Sequence, residues 1–207
     1  MKEFEKFLMA KEAGLSSEVC KFESLVLRFT EARRKGWSDD PRDAGGATQT
    51  GVTLTTYKAY CRKKGLPVPS KAALRNIPYA HWHDIVKEFW DCGRCDEIRS
   101  KPVAWIIADW VWGSGPKVLK NVQSTVNRLI SSGHSPLTLS NLSVDGIIGP
   151  KSIAAINALD PVVLFDALRS VRIAYYEESC RNRPVNKVFL KGWLNRLDAI
   201  TFDGLIW

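Results

Sequence analysis

One segment constrains the fold of this chain more than any other: Trp37-Ser38-Asp39-Asp40-Pro41-Arg42-Asp43-Ala44-Gly45-Gly46-Ala47-Thr48-Gln49-Thr50-Gly51-Val52-Thr53. It crowds carboxylates, glycines and threonines between an apolar-striped helix and a mixed helix. Gly45, Gly46 and Gly51 permit tight turns and close backbone approach, whereas Thr50, Val52 and Thr53 favour extended backbone. A short β-hairpin near Gly46 to Thr53 is therefore expected inside an otherwise helical chain. Such a segment serves either as a surface turn or as the polar lip of a cleft carrying catalytic carboxylates.

The remaining periodicity is helical almost throughout. From Ser17 to Lys35, Val19, Phe22, Leu25, Val26 and Phe29 recur every three or four residues and predict one buried stripe. Lys21, Glu23, Arg28 and Arg33 fall off that stripe, as on a half-exposed helix, and Gly36 stands where a left-handed cap belongs. Leu54 to Lys64 reads as a helix ended by Gly65. Ser70 is placed to cap a short helix, and Pro78 opens another running to about Trp90. Pro102 opens an apolar helix through Trp112, and Pro116 opens one carrying Val118, Leu119, Val122, Val126 and Leu129. A loop from Ser131 to Ser143 divides the chain into an expected region 17–130 and a second, 131–207, packed on the same core. Within the second, Asp145-Gly146 makes a turn, Pro150 opens a helix to Leu159, and a long helix runs from Pro161 to about Asn182.

Asp40 to Thr53 spells Asp-Pro-x-Asp-x-Gly-Gly-Ala-Thr-x-x-Gly-Val-Thr. It resembles the loop of the family-108 glycoside hydrolases, lysozyme-like N-acetylmuramidases of phages and bacteria. Further along, Asp109 to Gly115 and Gln123 resemble that family's Asp-x-x-x-x-x-Gly helix and following Gln. Val144 to Ser152 resembles a turn of small peptidoglycan-binding modules. Phe189-Leu190-Lys191-Gly192-Trp193-Leu194-Asn195-Arg196 resembles the end of the C-terminal predicted peptidoglycan domain that family members carry. The resemblance runs in order from about Phe22 to Leu197. It implies a mainly α, lysozyme-like fold with a small β-hairpin at the cleft, and a peptidoglycan-degrading glycosidase.

The chain departs from the family at one position. There a Glu-Gly-Gly-aromatic turn supplies the proposed catalytic acid; here Gly36 and Trp37 match its end, but Lys35 replaces the first Gly and Arg34 the Glu. The nearest upstream carboxylate is Glu31, one helical turn earlier and so on the same face. Two arrangements follow: Glu31 has taken the acid's role, or the site is inactive. The expectation adopted is activity with Glu31 as acid.

Glycosidic cleavage needs an acid to protonate the leaving oxygen and a carboxylate to activate water or stabilise the oxocarbenium-like transition state. Near a helix C-terminus the dipole disfavours the anion and raises the pKa of Glu31, whereas inward-pointing Arg33, Arg34 or Lys35 lower it. Asp43, at the family-matching position, is the expected second carboxylate; it serves alternatively as an Asx-turn residue, and Glu31 as a solvated partner of Arg34 or Lys35. Thr48, Trp37, Gln49 and Asp109 are the expected substrate-binding residues, Thr48 as an orienter of water and Trp37 as a saccharide contact. Trp105 and Trp110, among eight tryptophans, are expected in the core.

A formal net charge of +8 favours polyanions, with acidic wall polymers and nucleic acid both in view. The basic residues are dispersed and no nucleic-acid-recognition motif occurs, so the expected partner is the peptidoglycan glycan strand. Met1 to Leu15 lacks a continuous apolar core and no run is long enough to span a bilayer. The expectation is a monomeric chain made in the cytoplasm without a signal peptide, without membrane insertion, acting at the wall after release or export. Cys92-Gly93-Arg94-Cys95 has redox or half-zinc spacing, but no second ligand pair accompanies it, so neither metal nor cofactor is expected. A catalytically degenerate peptidoglycan-binding protein is the main alternative, and a basic nucleic-acid-binding protein a remote one.

Overall fold

The computed structural model describes residues 18–31, 36–135 and 139–205, the Glu31 side chain excepted. These residues form two compact units, one ending at Glu88 and the other beginning at Phe89.

The first unit begins with α1 (Glu18–Glu31). Its predicted stripe is real: Val19, Phe22, Leu25 and Val26 are buried and Arg28 is exposed. Glu23 departs from the expectation, being wholly buried instead of solvated. At positions 19, 23 and 26 the helix turns one face inward, and Glu23 is tolerated there because Tyr79 and His83 supply hydrogen-bond partners. Strands β1 (Trp37–Ser38), β2 (Thr48–Gln49) and β3 (Val52–Thr53) form an antiparallel sheet in that order. The expected hairpin is β2–β3, pairing Thr48 with Thr53 and Gln49 with Val52. β1 widens it, because Trp37 and Ser38 pair with Gln49 and Thr48. Thr53 closes the sheet and caps α2 (Leu54–Lys63), its hydroxyl accepting the Thr56 N–H at 3.1 Å. Ser70 caps α3 (Lys71–Arg75) in the same way. Helix α4 (Tyr79–Cys92) follows Pro78, and Trp82, Ile85 and Val86 on it are buried.

The second unit is organised around α5 (Lys101–Ser114). Every residue from Val103 to Val111 is buried, as befits a helix apolar on all sides. Trp105 and Trp110 lie in this core as expected, and Trp110 meets Tyr175 edge to face at 5.7 Å. Pro116 opens a 3₁₀ turn (Pro116–Val118) before α6 (Leu119–Ser131), so the α-helix starts later than its proline. Then come α7 (Pro150–Ala158), the 22-residue α8 (Pro161–Asn182) and α9 (Lys187–Asp198). A two-strand ribbon, β4 (Ile200–Thr201) with β5 (Gly204–Leu205), ends the described chain. Helix α8 packs on both α5 and α6, which lie on the other side of the Ser131–Ser143 loop. The boundary between the two compact units falls within α4.

Leu142, between α6 and α7, is held by paired amides. Asn127 both donates to and accepts from the Leu142 backbone, at 2.9 and 2.7 Å. One turn earlier, Gln123 donates to Asp145 Oδ1 and the Ile147 carbonyl and accepts the Gly146 N–H. Two amides four apart on one helix face thus hold this segment, Asn127 at Leu142 and Gln123 at the Asp145-Gly146 turn.

Candidate active site

The lip is assembled from backbone turns. Asp40 accepts from Arg42 through its backbone N–H and bidentately from the guanidinium, and its carbonyl accepts the Asp43 N–H at 3.0 Å. Asp43 Oδ1 then accepts the Gly45 N–H at 2.8 Å, and its carbonyl accepts the Gly46 N–H at 3.1 Å. A methyl group on Gly45 would lie 3.3 Å from both Asp43 Oδ1 and Thr53 Cγ2, so any larger residue would push these two side chains back by a few tenths of an ångström. Asp43 is both a turn-holding residue and a half-exposed carboxylate; the two sequence readings are compatible.

The sheet gathers the other lip residues. Thr48 donates its hydroxyl to the Gly46 carbonyl at 2.9 Å. Gln49 lies opposite Trp37 in the register, and its side-chain amide donates to Thr50 Oγ1. The half-buried Trp37 ring carries the Arg75 guanidinium 5.4 Å from its centroid, a cation–π contact that occupies part of the indole. Asp43, Thr48, Trp37 and Gln49 therefore belong to one loop-and-sheet element. Glu31 is the last residue of α1; its side chain, and Arg34, lie outside the described residues.

Asp109 has a different environment. It is fully buried in the second unit, and both carboxylate oxygens are engaged: Oδ2 by Arg172 at 2.6 Å, Oδ1 by Arg196 at 2.5 Å. Burial pulls its pKa up, but the two guanidinium groups outweigh it and hold the carboxylate below its ordinary range. The same charge pairing, joined by a 2.8 Å bond to Tyr176, keeps the buried Arg172 protonated. These contacts tie α5, α8 and α9 together and leave the Asp109 oxygens turned to protein, not to a glycan.

Sequence reasoning missed the polar cluster between α1 and α4. Glu23 is bonded to His83 Nδ1 and to the Tyr79 hydroxyl, the latter at 3.3 Å. Burial raises the Glu23 pKa, and the opposing influence of His83 and Tyr79 does not cancel it. Between those two partners Trp82 donates its indole N–H to the Thr50 carbonyl at 2.9 Å. The signal was present in Tyr79, Trp82 and His83, three polar-edged aromatics on one turn of a helix. Among the described residues no three His, Cys, Asp or Glu side chains converge as metal ligands; Cys95 is buried with its thiol directed to the Ala104 carbonyl.

Comparison with known proteins sets this geometry in a lineage. Residues 27–115 match the model for Glycosyl hydrolase 108, and residues 137–198 match that for a Predicted Peptidoglycan domain. No curated protein matches. Among solved structures the chain is similar to Brucella abortus SagA, at 25% identity and a TM-score of 0.67, over 87% of this chain and 91% of that one. The first match takes in α1 from Leu27, the whole lip and α5; the second takes in the pinned turn and α7 to α9. Both stretches fall in order along a mainly α, lysozyme-like chain: residues 27–115 are similar to glycosyl hydrolase 108 and residues 137–198 to a predicted peptidoglycan domain, which together support a peptidoglycan-degrading, muramidase-type function.

Proposed function

We propose that the chain is an active N-acetylmuramidase in which Glu31 supplies the acid and Asp43 the second carboxylate. The observation that carries the reading is the lip: Gly45 and Gly46 hold Asp43 at the edge of a sheet that also presents Thr48, Trp37 and Gln49. Glu31 would protonate the glycosidic oxygen as the bond breaks, while Asp43 either activates a water oriented by Thr48 or stabilises the oxocarbenium-like centre. Trp37 offers an indole face to a sugar ring, with Arg75 on its other contacts. Asp109 acts as scaffold, ordering the helices of the second unit. The substrate is the peptidoglycan glycan strand, and the protein works at the cell wall as a monomer. Among the described residues no helix is long and apolar enough to cross a membrane.

A second reading has its own support. Arg34 stands where the family resemblance calls for a glutamate, and a chain without a working acid would bind peptidoglycan and leave it uncut. Release of reducing ends from purified peptidoglycan separates the two. Cutting by the unmutated protein supports the first reading, and wall binding with no new reducing ends supports the second.

A further inference from the structure

Thr50 has a backbone conformation that β-branched residues rarely adopt. The β2–β3 register leaves Thr50 and Gly51 as a two-residue loop, and both have positive φ, 48° and 81°. That is the φ signature of a type I′ turn, where Asn-Gly is the usual pair; Thr at its first position is strained. Strain of this kind persists only where the surroundings over-determine it. Here three atoms of Thr50 are held at once. Its N–H donates to the Gly36 carbonyl at 2.7 Å, its hydroxyl accepts from Gln49 at 3.0 Å, and its carbonyl accepts from Trp82 Nε1 at 2.9 Å. The Gly36 approach is close enough that a side chain there would come within 2.9 Å of Thr50 Oγ1.

Trp82 is 3% exposed and packs against Tyr79 with ring centroids 5.9 Å apart. Tyr79 and His83, on the same helix, both bind the buried Glu23 of α1. A continuous polar path therefore leads from α1, the helix that ends in Glu31, through Glu23 and α4 to Trp82, and from its indole to the lip carrying Asp43 and Thr48. We infer that Trp82 is a positioning residue: with α4 as strut, its N–H sets the lip that carries Asp43 and Thr48 against α1. The inference rests on the proposed role of Asp43. Trp82 itself touches no reacting atom.

The test is a cycle of Trp82→Phe and Thr50→Gly, read by amide hydrogen exchange across Thr48 to Val52 and by wall-cleavage kinetics on the same preparations. Phenylalanine keeps a buried ring and deletes the N–H. Trp82→Phe is expected to speed exchange at Thr50 and to lower kcat about 10-fold with KM within about 3-fold, since small misplacements of catalytic groups act on the chemical step. Glycine accepts the positive φ without strain, so in a Thr50→Gly background Trp82→Phe should change kcat by less than about 3-fold. An active enzyme whose kcat ignores Trp82→Phe, or whose loss persists undiminished in the Thr50→Gly background, would overturn the positioning role while leaving the muramidase reading intact. If the unmutated protein binds walls without cutting them, the muramidase reading falls instead. The strut is then judged by exchange across Thr48 to Val52, which Trp82→Phe must speed; unchanged exchange would refute it.

Discussion

Arg172 Nη2 lies 2.6 Å from Asp109 Oδ2, and neither side chain reaches solvent. Removing one partner of a buried pair strands the other charge, so Asp109→Ala is expected to cost about 3–5 kcal/mol in urea unfolding. Binding of glycan by the protein that remains folded should be unaffected, because Asp109 orders helices and contacts no sugar. Lost glycan affinity at unchanged stability would restore it to the binding site.

Gln123 makes three hydrogen bonds to the Asp145–Ile147 turn from a buried position. Gln123→Ala removes this partner from the Gly146 N–H, the Ile147 carbonyl and Asp145 Oδ1 and should destabilise by about 1–3 kcal/mol. Hydrogen exchange at Gly146 should rise by more than the global loss of stability accounts for. Exchange that follows global unfolding alone would mean the turn stands without its clamp.

Glu23 titrates above its ordinary value of 4.5 because it is buried. The folded state then holds the proton more tightly than the unfolded chain does. Its contribution is fully present below about pH 4.5 and is lost as pH rises through the folded-state pKa. Glu23→Gln should flatten the pH dependence of stability over that window, measured as urea midpoints from pH 4 upward at about half-unit steps. A pH profile identical to the unmutated protein's would contradict the assignment.

Much of this architecture was legible in residue spacing, and the gaps have physical causes. The stripe of Val19, Phe22, Leu25 and Val26, the cap at Ser70 and the apolar α5 follow from local rules that tertiary contacts do not reverse. Glu23 was misplaced because its burial depends on Tyr79 and His83, more than fifty residues away, which no local pattern encodes. Asp109 read as a substrate contact for the same reason: its partners, Arg172 and Arg196, arrive from α8 and α9. The lip was legible as a glycine-rich turn; that Trp37 and Ser38 extend it to three strands was not, since a two-residue strand carries no period.

Asp43 can be separated from its structural duty. Asn retains an acceptor for the Gly45 N–H, whereas Ala removes it. Asp43→Asn is therefore expected to keep the unmutated melting temperature and lose about 100-fold or more in kcat. Asp43→Ala should lose stability as well. An Asn variant with full activity would reduce Asp43 to a turn residue.

If Glu31 does the work of the glutamate whose place Arg34 takes, reducing-end release from purified peptidoglycan must depend on it. Assayed side by side at equal folded concentration, the unmutated protein is expected to cleave and Glu31→Gln to lose about 100-fold or more, with wall binding retained by both. Cleavage undiminished in Glu31→Gln, or none from the unmutated protein while it still binds walls, would contradict that role.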